Sequence, residues 1–244
     1  MNALAAIPIL ASLVLSYRAG PDTVYVAADS RLTPSAADSS RAPTDSTCKI
    51  RVLNDGVVFV GTGNALFFAD RVRTNIYAVA ANAAATLPKG TVTAEDVRRV
   101  AFAWQATIHT RLSAMIEADH RPLADATGTT GSFYAATGDG LVYAITLRIA
   151  ATPEGTLQDI EEPGGQTGYL VATGTNEAKA RALAVAPRYA TLAWPARLEA
   201  IESETIRAEM ARYGSKSDIG GPVDLIEITP DGPVWLRRKA VCRQ

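Results

Sequence analysis

The chain has 244 residues, room for one large domain or two small ones at about 150 residues each. Lys+Arg 24 against Asp+Glu 25 leave a net charge of -1, which gives no electrostatic footprint for nucleic acid or an anionic membrane. With 48% apolar and 20% charged residues the chain can bury a full core, which excludes disorder. Two cysteines, Cys48 and Cys242, are too few for a disulfide scaffold or a cysteine zinc site, and the sequence does not say whether they pair.

Met1 to Tyr17 is almost wholly apolar and carries no Lys or Arg. At about 17 residues it sits at the short limit for a membrane span. It lacks the basic start of a secretory signal, yet Ala11 fits the last position of a small-residue cleavage site. Signal peptide, processed propeptide and first buried strand with a short lead-in all remain open. The expected division is a leader over 1–11 and a single domain over 12–244.

Leu13–Arg18 and Thr23–Ala28 are short apolar runs separated by Ala19-Gly20-Pro21-Asp22 and predict strand, turn, strand. Pro34–Thr47, rich in Ser, Ala, Asp and Pro, predicts a loop. Cys48–Leu53 and Val57–Val60 predict a hairpin around Asn54-Asp55-Gly56, where glycine accepts the positive φ a tight turn needs. Phe68, Val72, Ile76, Val79 and Ala83 recur at helical spacing and predict a first helix ending at Leu87-Pro88-Lys89-Gly90. A second helix starts at Thr93, with Asp96 as its capping-box partner, and buries Val97, Val100, Trp104, Ile108, Leu112 and Met115. Ser132–Thr137 and Leu141–Ile149 form a hairpin around Gly138-Asp139-Gly140. Thr167–Thr173 is a further strand and Thr175–Val185 a short helix. Leu198, Ile201, Thr205 and Ala208 mark a fourth helix ended by Gly214. Val223–Ile228 and Val234–Arg238 form a last hairpin around Asp231-Gly232. Helices that arrive in pairs between runs of hairpins predict an α+β fold of antiparallel sheets with helix layers outside them.

The sequence has no Walker loop, no Gly-x-Gly-x-x-Gly and no Gly-x-Ser-x-Gly. His109 and His120 are the only histidines, so a histidine-rich metal site is excluded, and His109 reads as a partly exposed helix residue. No metal or organic cofactor is implied.

The residues that carry chemistry lie near the front: Ala28-Asp29-Ser30-Arg31 at the end of a strand, Cys48-Lys49-Ile50 opening a later one, and Gly61-Thr62-Gly63 fourteen residues after Lys49 at its last glycine. Here the chain resembles the proteasome β-subunits and their bacterial protease relatives among the N-terminal-nucleophile hydrolases. Gly220-Gly221-Pro222-Val223 resembles the glycine pair before that family's penultimate strand, so the likeness covers most of the chain from about residue 12. It implies a four-layer αββα sandwich of two antiparallel sheets flanked by helix pairs.

By the same resemblance the nucleophile is the first residue of the processed chain, usually Thr, sixteen residues ahead of the Asp. Counting back from Asp29 lands on Leu13, and on Ser12 if the first hairpin is one residue longer. Ser12 serves only if the bond after Ala11 is broken. A hydroxyl needs a base, and a free α-amine with a reference pKa near 7.7–8.0 can act as one at neutral pH. The resemblance implies that Lys49 holds or shuttles the proton and favours the developing alkoxide. Asp29 then orients Lys49, Arg31 braces the neighbouring loop, and the Gly63 amide points into the oxyanion site. Thr175 corresponds to a family Ser leading into the third helix; its plain alternative is an N-cap. Asp218 stands in for a family Asp, with altered spacing to the glycine pair. The plain alternative for Asp29 and Lys49 is a structural ion pair.

The expected function is amide hydrolysis, of peptide or protein substrates, by a homo-oligomeric ring. The alternatives are a catalytically inactive assembly or binding module and a small-amide amidase of the same superfamily. The compartment is cytoplasmic, or outside it if residues 1–11 are a signal, in which case membrane contact is transient. If Lys49 is catalytic, Lys49→Ala should abolish labelling by a hydroxyl-directed electrophile and leave the melting temperature nearly unchanged.

Overall fold

The structure is a computed structural model that describes residues 9–10, 12–33, 43–64, 66–69, 72–87, 90–119, 128–152, 154, 156–162 and 165–242. Residues 1–8, Ala11, most of the 34–47 segment, Pro88, Lys89 and His120 lie outside the described residues.

In chain order the elements are β1 (Ile9–Leu10), β2 (Leu13–Gly20), β3 (Thr23–Ala28), β4 (Ile50–Val52), β5 (Val58–Asn64), β6 (Leu66–Ala69) and β7 (Val72–Asn75). Helices α1 (Ile76–Ala84) and α2 (Ala94–Asp119) follow, then β8 (Thr129–Ala136), β9 (Val142–Ala151), β10 (Leu157–Glu162) and β11 (Leu170–Gly174). The chain continues with α3 (Asn176–Val185), α4 (Ala196–Tyr213), β12 (Asp224–Thr229) and β13 (Gly232–Arg237). The protein is a mixed α+β fold with two main antiparallel sheets. One has the order β1-β5-β8-β9-β10, with β4 also on β5; the other has the order β11-β2-β3-β12-β13.

Three apolar cores order the layers. The first joins α1 and α2 to β5, β8 and β9 through Phe59, Trp104, Phe133 and Leu147. The second joins α3 and α4 to β2, β3 and β12 through Leu13, Leu15, Ala182, Leu198 and Leu225. The third lies where the sheets face each other, with Val14, Val26 and Ile226 against Val58, Val60 and Tyr134. Leu13 and Leu15 point to the helices while Val14 points to the other sheet, so β2 begins as an unbroken apolar run because both its faces are covered.

The second helix begins as expected: the Thr93 amide donates to Asp96 Oδ2 at 3.1 Å and the Asp96 amide to Thr93 Oγ1 at 3.1 Å, a reciprocal cap. Gly214, at φ 59, ends α4. The first helix does not begin at Phe68. Leu66–Ala69 and Val72–Asn75 pair as a hairpin, and α1 starts only at Ile76, where Asn75 Oδ1 accepts the amides of Tyr77 and Ala78. A spacing of four fits a helix, but the β-branched Val72 and Thr74 favour extended backbone and the Asn75 cap sets the helix start. The Asn54–Gly56 connection is a short 3-10 turn. Strand β10, absent from the expected elements, has the sequence LQDIEE and pairs with β9.

Cys48 and Cys242 form a disulfide across a sequence separation of 194. It ties the C-terminal turn Ala240–Cys242 to the residue before Lys49. Beside it Lys239 Nζ donates to the Thr47 carbonyl at 2.8 Å and pairs with Asp224 Oδ2 at 2.8 Å.

Candidate active site

Strand β5 has two neighbours on the edge opposite β8. β4 pairs with Val58–Val60, and β1 pairs with Gly63–Asn64, with Leu10 opposite Gly63. The Gly61 amide donates to the Lys49 carbonyl at 3.3 Å. The end of β1 and the start of the Lys49 strand therefore meet along one short stretch of β5. From Leu10 in that sheet the chain passes to Leu13 in the other, so Ser12 sits at the crossover and is fully buried.

The crossover is anchored on both sides. The Ser12 carbonyl accepts the Thr175 amide at 3.3 Å, and the Leu13 carbonyl accepts the Asp29 amide at 3.2 Å. Gly174, at φ +132, lets that approach happen: a Cβ there would lie 1.7 Å from the Ser12 carbonyl oxygen. Thr175 is also an N-cap, its Oγ1 accepting the Ala178 amide at 3.3 Å.

Asp29, just past β3, is fully buried and accepts four hydrogen bonds. Oδ1 takes the Leu13 amide at 2.9 Å and Lys49 Nζ at 2.5 Å; Oδ2 takes the Arg31 and Gly220 amides, each at 3.1 Å. Lys49 is likewise fully buried. Burial pushes its ammonium below the ordinary lysine value; Asp29 and Glu202 oppose that, and Lys239 adds to it.

Arg31 clamps the surrounding loops. Its guanidinium donates twice to Asp45, at 2.6 and 2.8 Å, and once to the Ser217 carbonyl at 3.3 Å. The glycine pair packs against the Asp-Ser-Arg element: a Cβ at Gly220 would lie 2.5 Å from Arg31 Nε, and one at Gly221 2.5 Å from Ser30 Oγ. Gly63, at φ +82, faces Leu10 in the ladder and passes so close to Gly128 that a Cβ would lie 1.6 Å from its carbonyl oxygen.

The structure thus gathers Ser12, Asp29, Lys49 and Thr175 around the crossover, with Arg31 in the adjoining loop and Gly63 beside β1. Asp218, two residues before Gly220, is exposed; partial burial, then the Glu209 charge, pushes its carboxyl above the ordinary value, and the buried hydroxyl of that stretch belongs to Ser217. His109 joins α2 to β10 through Asp159 Oδ1 at 2.8 Å. Among the described residues no group of three or more His, Cys, Asp or Glu could hold a metal ion.

Sequence reasoning missed Glu202. It lies on α4, which packs on β2 and β3, and it is fully buried with no hydrogen-bond partner for either carboxylate oxygen. Burial, then the Asp29 charge, pushes its carboxyl well above the ordinary value; Lys49 opposes the rise, and so, least of all, does the Asp29 amide, which is already donated to Leu13. The signal was present: Glu202 falls four residues after Leu198 and three before Thr205, on the apolar stripe of the helix. In comparisons with known proteins, no family model matches the chain and no curated protein matches its sequence.

Proposed function

We propose that the protein is an N-terminal-nucleophile hydrolase of proteasome-like fold that cleaves amide bonds through Ser12. One observation carries the reading: Asp29 Oδ1 binds both Lys49 Nζ and the amide of Leu13, the residue after Ser12, with all of these groups buried at a sheet crossover. The β2–β3 ladder supports it. Arg18 pairs with Val24 but Gly20 with Thr23, so a bulge at Ala19 lengthens the first hairpin by one residue, which supports counting back to Ser12 rather than to Leu13.

Once the Ala11–Ser12 bond is broken, the new α-amine takes the Ser12 hydroxyl proton as Oγ attacks the substrate carbonyl carbon. The Oγ–C bond forms, and the carbonyl electron pair moves to oxygen, where the Gly63 amide donates. The intermediate collapses, and the leaving amine takes the proton from the α-ammonium. Water then hydrolyses the acyl-enzyme by the same relay. The Lys49 ammonium, fixed by Asp29, favours the alkoxide throughout. The substrate is an extended peptide rather than a small amide, because the β5 edge that β1 occupies offers main-chain pairing beside the crossover. The disulfide next to Lys49 favours maturation in an oxidising compartment, hence export.

The exposed Asp218 favours a second reading, a non-catalytic member that keeps the fold as a binding module. Intact mass together with labelling by a hydroxyl-directed electrophile separates the two. A mature chain that begins at Ser12 and carries label on that residue supports the hydrolase. A functional chain that keeps residues 1–11 overturns it.

A further inference from the structure

Glu202 is a buried acid that the mechanism above leaves unused. Its surroundings define its charge. From β3 comes the Asp29 carboxylate, already bound to four donors; from the start of β4 comes Lys49. Beyond Lys49, Lys239 is neutralised by Asp224. On its own helix Glu209 is committed to Arg181 at 2.7 Å, and Arg31 to Asp45. Asp29 with Lys49, and Asp224 with Lys239, are two neutral pairs. A third buried carboxylate would add an uncompensated charge, which favours the protonated form of Glu202.

We propose that Glu202 is the proton-buffering partner of Lys49: a fully buried acid with no hydrogen-bond partner on either oxygen, carried by α4 against β2 and β3, that keeps the ammonium charged while Ser12 reacts. The physical reason is the order of proton loss. If Lys49 loses its proton, Asp29 is stranded without its cation. If Glu202 loses its proton, the new carboxylate shares Lys49 with Asp29 and holds that ammonium more firmly, in line with the upward pull that Glu202 exerts on Lys49. Glu202 acts through Lys49 and is therefore a positioning residue. The assignment rests on Ser12 being the nucleophile.

The test compares the wild-type chain processed to Ser12 with Glu202→Gln and Glu202→Met, reading the rate of Ser12 labelling by a β-lactone against pH. Both variants remove the buffer, so the alkaline fall in rate should move to lower pH by on the order of one unit. A purely structural role would lower the rate equally at all pH values. An unshifted limb in both variants overturns the proposal. Melting curves test the buried acid independently of labelling, and a wild type that takes no label overturns the hydrolase reading and this proposal with it. A carboxyl raised in the folded state favours folding below its unfolded value, and that advantage is lost as pH rises through the folded one. The wild type should therefore lose melting temperature relative to Glu202→Gln as pH rises past the ordinary carboxylate range. Parallel curves overturn the assignment.

Discussion

Truncating Lys49 to alanine cannot separate a catalytic from a structural lysine, because the ion pair is completely buried. Lys49→Ala strands Asp29 with three backbone donors, Leu13, Arg31 and Gly220, and empties the space of one of the largest fully buried side chains. Breaking a buried pair from one side costs about 3–5 kcal/mol. For a chain of this size each kcal/mol moves the melting temperature by about 2–4 °C, so a fall of about 6–20 °C is expected in either reading. This corrects the expectation that a catalytic Lys49 could be removed without cost. Lys49→Met is the better perturbation, since it keeps most of the volume and deletes only the ammonium. It should still lower the melting temperature, toward the small end of that range. Adding Asp29→Asn should recover part of the loss, with a coupling of about 1–3 kcal/mol in the double-mutant cycle. Labelling of Ser12 is then measured well below the melting point of folded Lys49→Met. Its abolition in a folded protein identifies Lys49 as catalytic. Full labelling in that variant, or a melting temperature that does not move, would refute the reasoning.

Three further outcomes follow from the geometry. Reducing the Cys48–Cys242 bridge, or replacing Cys242 by Ser, should destabilise the protein strongly, because it closes a loop of 194 residues. The chain-entropy limit is about 5 kcal/mol, and melts with and without reductant measure it. Gly63→Ala and Gly174→Ala should each impair folding or processing, since the new Cβ would lie 1.6 or 1.7 Å from a carbonyl oxygen. Gly140→Ala, at φ +77 with open space around it, should cost only the backbone strain of about 1 kcal/mol, which chemical denaturation of the set would show. Ser12→Ala should fold as the parent does and take no label, read by mass spectrometry; label retained at another residue would place the nucleophile elsewhere.

The parts legible in the sequence were those fixed by local chemistry or by an uninterrupted pattern. The Thr93–Asp96 box, the Gly214 stop and the hairpins around Gly140 and Gly232 each depend on residues close in the chain. Asp29 and Lys49 were legible for a different reason: the Ala28-Asp29-Ser30-Arg31 and Cys48-Lys49-Ile50 segments resemble a family pattern, with a structural ion pair as the plain alternative. What escaped depends on distant groups. Whether Phe68 and Val72 lie on a helix or a hairpin is decided by the Asn75 cap and by pairing between β6 and β7, because a spacing of four serves both. β10 reads as polar because it is the last strand of its sheet and stays partly exposed along its length. The disulfide needs residues 194 apart to meet. Glu202 falls on the apolar stripe of α4, and its burial follows from the packing of that helix on β2 and β3.

The meaning of residues 1–11 turns on how much the leader contributes to the fold. As a core strand it should be indispensable; as a removable segment it should be a light attachment. The described part of it, Ile9–Leu10, pairs only with Gly63 and Asn64 of β5, whereas β2 pairs along its length with both β3 and β11. The anchors at the crossover, from Thr175 to Ser12 and from Leu13 to Asp29, all lie on the domain side of the Ala11–Ser12 bond. Two ladder positions at a sheet edge, at about 0.5–1.5 kcal/mol net for each hydrogen bond, should amount to no more than a few kcal/mol. A chain that starts at Ser12, released by a site-specific protease from a fusion partner, should therefore melt within about 10 °C of the full chain. It should also take the electrophile, which the uncut chain should not. Collapse of the trimmed chain would show that the leader is a structural strand and that Ser12 is never a chain terminus.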